Sequence, residues 1–291
     1  MPHDWSNEGL FKPQTRPAFV GAEAMPRFRA DVRGFDLVNA WWLSNAAHAA
    51  YFDEEGTRRE LAKAGWRVVE YYLRGGTEGY MAEGEGFAIL AFRGTQHDDW
   101  NDVKADLKFP LAPFTGGTRA HTGFREALDQ VWAGVVSCLA ELEAKGVPVW
   151  FTGHSLGAAL AVCAAARRTP AALYTFGAPR VGDEAFTRLL AGTAHQRLVN
   201  CCDMVTTLPP DWLGFRHAGE ERYFSLRRRV WTDPRQGRVF WDRLVAMARY
   251  ALTMNLFRRG RVGFRSLGDH SMLNYTAAIE KALRREAVVS G

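Results

Sequence analysis

At 291 residues, 47% hydrophobic and 24% charged, the chain is long enough for one large domain with a sizeable core, and its composition excludes a disordered or fibrous protein. No apolar run reaches membrane-spanning length, and the first 30 residues lack a signal-peptide core, so a cytoplasmic protein with at most peripheral membrane contact is expected. The net charge of +5 is unevenly placed: Arg216 to Arg265 holds 13 Arg, no Lys and four acids, a net +9, and no nucleic-acid motif accompanies it.

In chain order, Met1 to Ala30 reads as an extended arm. Val38 to Tyr51 is an apolar helix containing Trp41 and Trp42, and Glu54 to Ala64 a second helix. Trp66 to Leu73 and Tyr80 to Phe92 have strand composition, with Gly75-Gly76 as the turn between them. Gln96 to Gly117 is long for a βα connection and mixes His97, Asp98, Asp99, Asn101 and Asp102 with Trp100, Val103, Leu107 and Phe109. It reads as an amphipathic flap or a fixed surface helix. Gly123 to Lys145 has helical period and stops at Gly146.

Val149 to Thr152 is a short β-rich run. Gly153-His154-Ser155-Leu156-Gly157 follows, then a run of small helix formers. Strand 171–176, helix 183–191, strand 197–200 and helix 271–284 continue the alternation, which predicts an α/β fold with a doubly wound, mainly parallel sheet and helices on both faces. Residues 211–265 form a basic cap insertion in this single domain. Within it, Trp241 to Phe257 sets Leu244, Val245, Met247, Ala248, Ala251, Leu252, Met254 and Leu256 against a narrow polar stripe of Asp242, Arg249 and Thr253. Arg258-Arg259-Gly260-Arg261 comes next. Such a helix suits the surface of an anionic membrane, with Trp241, Arg258, Arg259 and Arg261 as contacts, or else packs on the core. Cys138, Cys163, Cys201 and Cys202 show no C-x-x-C spacing and read as reduced thiols; no cofactor and no metal are expected.

The G-x-S-x-G pentapeptide in a strand–turn–helix context predicts a nucleophile elbow. There Ser155 is held in a strained conformation at a helix N-terminus, and the N–H of Leu156 is available to an oxyanion. The alternative is a Gly-rich connection with an ordinary serine cap. A nucleophilic serine needs a base and an acid, in the order Ser, Asp or Glu, His. Of the later histidines, His195 reads as a surface turn residue and His217 as solvated, whereas His270 opens a helix after a turn. Among the acids between them, Asp183 and Asp203 both follow strands at the sheet edge where such sites lie, and spacing does not separate them. The second oxyanion donor belongs on the loop that leaves the strand Gly86 to Phe92 through Arg93-Gly94-Thr95.

Five motifs fall in order: Ala91-Phe92-Arg93-Gly94-Thr95, the Ser155 pentapeptide, Tyr174-Thr175-Phe176-Gly177-Ala178-Pro179-Arg180-Val181-Gly182, Asn200-x-x-Asp203-x-Val205-x-x-Leu208-Pro209-Pro210, and Asp269-His270-x-x-x-x-Tyr275. Together, over roughly Asp36 to Arg284, the chain resembles the fungal-type (class 3) lipase family of α/β-hydrolases. The resemblance implies a triad of Ser155, Asp203 and His270, chooses Asp203 over Asp183, gives Thr95 the second oxyanion position, and makes 96–117 a lid carrying Trp100, Val103 and Leu107. It implies a serine hydrolase cleaving carboxylic esters of lipids, with no cofactor and a fatty-ester substrate. A phospholipase A1-type acyl hydrolase on anionic membranes is one alternative. A non-catalytic lipid-binding or scaffold protein on the same fold is another. Two departures stand out: Ala158 replaces a usual third glycine, and the stretch from Asp203 to His270 is long and basic.

Overall fold

The computed structural model describes residues 3–94, 110–253 and 264–290. Its centre is an eight-stranded sheet in the order β1-β2-β3-β6-β7-β8-β9-β10. The strands are β1 (Arg67–Arg74), β2 (Thr77–Gly84), β3 (Phe87–Phe92), β6 (Val149–His154), β7 (Ala172–Phe176), β8 (His195–Asn200), β9 (Glu220–Phe224) and β10 (Val230–Thr232). From β3 to β9 every pairing is parallel; β1–β2–β3 and β9–β10 are antiparallel. A small hairpin of β4 (Leu111–Pro113) and β5 (Arg119–His121) stands apart.

The central strands are apolar because helices cover both faces. All six residues of β3 are buried, and they alternate: Phe87, Ile89 and Ala91 join one core, Leu90 and Phe92 the other. On the first face lie α2 (Leu37–Ala49) and the C-terminal α9 (Met272–Ser290), packed on each other. Every residue of α2 is buried, so its apolar residues run all round the helix, and the polar Asn39, Ser44, Asn45 and His48 among them are hydrogen-bonded. On the second face lie α4 (Thr122–Ala144) and α5 (Leu156–Arg167). Helix α4 buries Phe124, Leu128, Val131, Val135, Leu139 and Leu142, spaced three and four apart, so only one stripe is apolar. The remaining helices are α1 (Asn7–Phe11), α3 (Glu54–Ala62), α6 (Glu184–Leu189), α7 (Gln236–Thr253) and α8 (Arg265–Gly268). None of the described helices is long and apolar enough to cross a membrane.

Several features differ from the sequence reading, among them Tyr80 to Phe92, which is divided between the antiparallel strands β2 and β3. Over residues 3–30 the expected extended arm is a folded strap, built from α1 and two 3-10 turns. Phe19 anchors it against Trp41, Trp42 and Trp66, and the backbone N–H groups of Ala18 and Phe19 donate to buried Glu60 and Asn45. The segment expected as a basic cap over 211–265 supplies β9 and β10, so part of it is sheet. Within it Arg222 donates to Gln196 of β8, and Glu221 pairs with Arg197 of β8 at 2.7 Å with both side chains largely buried. Last, the region of 96–117 that lies within the described residues, 110–117, is the hairpin strand β4 with a 3-10 turn. Thr95, Trp100, Val103, Leu107, Arg258, Arg259 and Arg261 lie outside the described residues.

Candidate active site

Strand β6 runs into α5 through Ser155, which has φ 57° and ψ −124°. A non-glycine residue there is strained, and the surrounding glycines explain why the strain is tolerated. A Cβ on Gly153 would lie 2.3 Å from the carbonyl oxygen of Gly157. One on Gly157 would lie 2.2 Å from the carbonyl oxygen of Phe92. Without those two Cβ atoms, helix, strand and the end of β3 close onto one another. The Ser155 N–H donates to the Phe176 carbonyl at 3.0 Å, fixing the turn to β7. Leu156 is then the first residue of α5, where backbone N–H groups have no partner within the helix and the helix dipole favours an anion.

The other two residues reach this point from neighbouring elements. Asp203 follows β8, and His270 lies between α8 and α9. His270 Nε2 is 2.9 Å from Ser155 Oγ, and its Nδ1 is 3.0 Å from both carboxylate oxygens of Asp203. With Nδ1–H directed at the carboxylate, Nε2 offers its lone pair to the serine O–H. Asp203 is fully buried. Burial alone would raise its carboxyl, but facing His270 and the hydrogen bonds from His270 and Tyr275 outweigh that and hold it below the usual carboxylate range. The Tyr275 hydroxyl donates to Asp203 at 2.6 Å, and the Val205 N–H donates at 2.9 Å. Asp203 therefore also has the turn-capping contact that an ordinary residue in this position would make. Gly177, at φ 60°, passes beneath the pair: a Cβ there would lie 2.8 Å from Asp203 Oδ2 and 3.0 Å from His270 Nδ1.

The competing candidates are occupied elsewhere. Asp183 caps α6, accepting from the Phe186 N–H at 2.9 Å, and pairs with Arg119 at 3.0 Å. His195 is not a surface turn residue. It opens β8, is buried, and shares a 3.0 Å hydrogen bond with Thr175, because that β8 position faces the core beneath α5 and α6. His217 is half-buried rather than solvated and donates from Nε2 to the Thr206 carbonyl at 2.8 Å.

The lipase (class 3) family model matches residues 89–212, which hold most of β3, the Ser155 elbow and Asp203. Over this stretch the chain is similar to the class 3 lipase family. It is 38% identical over 137 residues to a lipase of Rhizomucor miehei, covering 42% of this chain, and 38% identical over 117 residues to secreted mono- and diacylglycerol lipase 1 of Fusarium solani, covering 38% of this chain. The matches span only 38% and 35% of those two relatives. The solved structure of Rhizomucor miehei triacylglyceride lipase superimposes with a TM-score of 0.56 at 29% identity, over 63% of this chain and 78% of that one. The α/β-hydrolase fold is thus common to this chain and a fungal class 3 lipase.

A second line of hydrogen bonds supports the imidazole, and sequence reading does not find it. His154, the variable residue before Ser155, is buried, and burial first and the neighbouring His270 second hold its pKa down to about 3. Neutral His154 carries its proton on Nε2, because that atom lies 2.7 Å from the His270 carbonyl, which can only accept. Its Nδ1 then accepts from the Tyr51 hydroxyl at 2.7 Å. The backbone of His270 is thus tied to the C-terminal end of α2. Tyr51 is 103 residues from His154, so no local pattern reveals the contact; Tyr275 is visible only as the last position of the Asp269-His270 motif.

Proposed function

We propose that the chain is a serine hydrolase that cleaves carboxylic esters of lipids through Ser155, His270 and Asp203. The continuous hydrogen-bonded line from Ser155 Oγ through His270 to Asp203, at the N-terminus of α5, carries this reading. A serine hydroxyl is a weak nucleophile at neutral pH. As Oγ attacks the ester carbonyl carbon, Nε2 of His270 takes its proton. Asp203 keeps the imidazole in the required tautomer and stabilises the imidazolium. The carbonyl oxygen becomes an oxyanion held by the Leu156 N–H, with Thr95 assigned as the second donor. Collapse breaks the bond to the alkoxy leaving group, which takes the proton from His270 and departs as an alcohol. The acyl group remains on Ser155. Water then attacks the acyl-enzyme, giving its proton to His270, and release of the fatty acid returns the proton to Ser155.

The phospholipid alternative has its own supporting observation. Helix α7 buries only Val239, Ala246 and Tyr250, while Phe240, Trp241, Leu244, Val245 and Met247 are exposed on one helix. Exposed apolar patches of this kind mark interaction sites, and the basic sequence around this one selects for an anionic lipid surface. The protein is therefore expected to bind anionic vesicles more tightly than zwitterionic ones, with binding that weakens as salt rises. Co-sedimentation at low and high salt tests this, and Trp241→Ala with Leu244→Ser should reduce binding to both vesicle types. Equal, salt-insensitive partition would remove the anionic selectivity and favour acylglycerol over phospholipid as substrate. A panel of acylglycerols and phospholipids of matched chain length compares the two substrates directly.

A further inference from the structure

Strand β8 ends at Asn200 and runs into the turn Cys201-Cys202-Asp203, and the neighbouring loop reads Gly268-Asp269-His270. Adjacent residues of an extended strand point to opposite faces, so two neighbouring cysteines ordinarily diverge. Here Cys201 has φ 38°, and the turn brings the two sulfurs to 3.7 Å. The Asp269 carboxylate joins them: one ligand atom from each of the three residues lies within 4.8 Å of the others, and all three side chains are buried. The ordinary account of Asp269 covers only half of it. Its Oδ2 accepts from Arg265 at 2.9 Å and from the Cys202 N–H at 3.1 Å, whereas Oδ1 is buried with no hydrogen-bond partner among the described residues. A buried, unpaired carboxylate oxygen costs free energy unless something else satisfies it.

We propose that Cys201, Cys202 and Asp269 form a binding site for a thiophilic divalent cation of the zinc type, directly behind Asp203 and His270. In a tetrahedral site with Zn–S of about 2.3 Å, two thiolates stand about 3.8 Å apart, which the present sulfur separation meets without backbone movement. Two sulfurs and one carboxylate oxygen select a soft ion over Mg²⁺ or Ca²⁺. Arg265 pairs with Asp269, Arg228 acts on the same carboxylate, and Arg243 donates to the Cys201 carbonyl at 2.9 Å. Entry of one M²⁺ with loss of two thiol protons leaves the local charge unchanged.

Each catalytic loop contributes ligands at the position immediately before its proposed acid or base: Cys202 before Asp203, Asp269 before His270. The loops are already joined by the Asn200 side-chain amide donating to the Asp269 carbonyl at 2.9 Å. A bound ion would draw Asp269 toward the sulfurs and shift the acid–base pair, lowering turnover.

The test is titration of Zn²⁺ into the full-length protein under reducing conditions by calorimetry in buffers of different ionisation enthalpy. One ion per chain and release of about two protons are expected. Cys201→Ser and Cys202→Ser should each weaken binding roughly tenfold or more, as loss of a ligand does, while Cys138→Ser, on α4, leaves it unchanged. Should a serine variant fail to fold, Asp269→Asn and the ultraviolet charge-transfer band of Cd²⁺ bound to thiolates in the unaltered protein provide the same decision. Saturating Zn²⁺ should slow ester turnover of the unaltered protein but not of Cys201→Ser. No stoichiometric uptake and no cadmium–thiolate band, or uptake that survives both serine substitutions in folded protein, would overturn the site. Equal inhibition of the unaltered and Cys201→Ser proteins would overturn its coupling to the acid–base pair.

Discussion

Ser155→Ala is expected to abolish ester turnover, by a factor on the order of 10⁴ or more, while leaving the protein folded. The size of the effect follows from cooperation: without Oγ, the lone pair of His270 and the orientation supplied by Asp203 have nothing to act on, and only the oxyanion donors remain. The fold should tolerate the change. Ser155 contributes a backbone N–H to the Phe176 carbonyl, which alanine retains, and its side chain caps no N–H of α5. Initial rates on a soluble short-chain ester, with circular dichroism as the folding check, give the answer. Residual turnover within about a hundredfold of the unaltered protein would remove the elbow from the mechanism.

The second large effect separates two carboxylates. Asp203→Ala should lower kcat by about 10³–10⁴-fold, because His270 loses the group that fixes its tautomer and stabilises its charged form. Asp183→Ala removes a helix cap and an ion pair with Arg119 and should cost about 1 kcal/mol of stability with little change in kcat. Kinetics and urea denaturation of both variants read the two effects independently. A larger fall in kcat for Asp183→Ala than for Asp203→Ala, with both folded, would reverse the assignment.

This contrast also shows where sequence reading reaches its limit. The elbow is legible because its requirements are local: a strand, two glycines and a run of small helix formers within about twenty residues. The central strands are legible because parallel strands buried on both faces are almost continuously apolar, as β3 and, but for Thr175, β7 are. Asp183 and Asp203 look alike by spacing, since both follow strands at the same sheet edge. They differ only in which one lies beside His270, and the closure of β8 against the α8–α9 turn decides that. β9 was hidden by its charges. Glu220-Glu221-Arg222 reads as surface, yet Arg197 pairs with Glu221 and Gln196 accepts from Arg222, so the polar heads of a sheet strand are satisfied across the ladder. His195 was missed for a related reason, since an imidazole at a strand start is polar in sequence but neutral and buried here, where burial first and Arg197 second lower its pKa to about 3. The strap over residues 3–30 depends on Phe19 meeting three tryptophans from distant segments, a contact that no periodicity reports.

The central claim is that Ser155 is the nucleophile activated by His270. A fluorophosphonate probe tests it most directly, because phosphonylation requires an activated serine rather than merely an exposed one. The unaltered protein should take up one probe per chain, mapped by mass spectrometry to the peptide containing Ser155. Labelling should be lost in Ser155→Ala and strongly slowed in His270→Ala. A folded protein that does not react, or that reacts at another serine at the same rate in Ser155→Ala, would contradict the account.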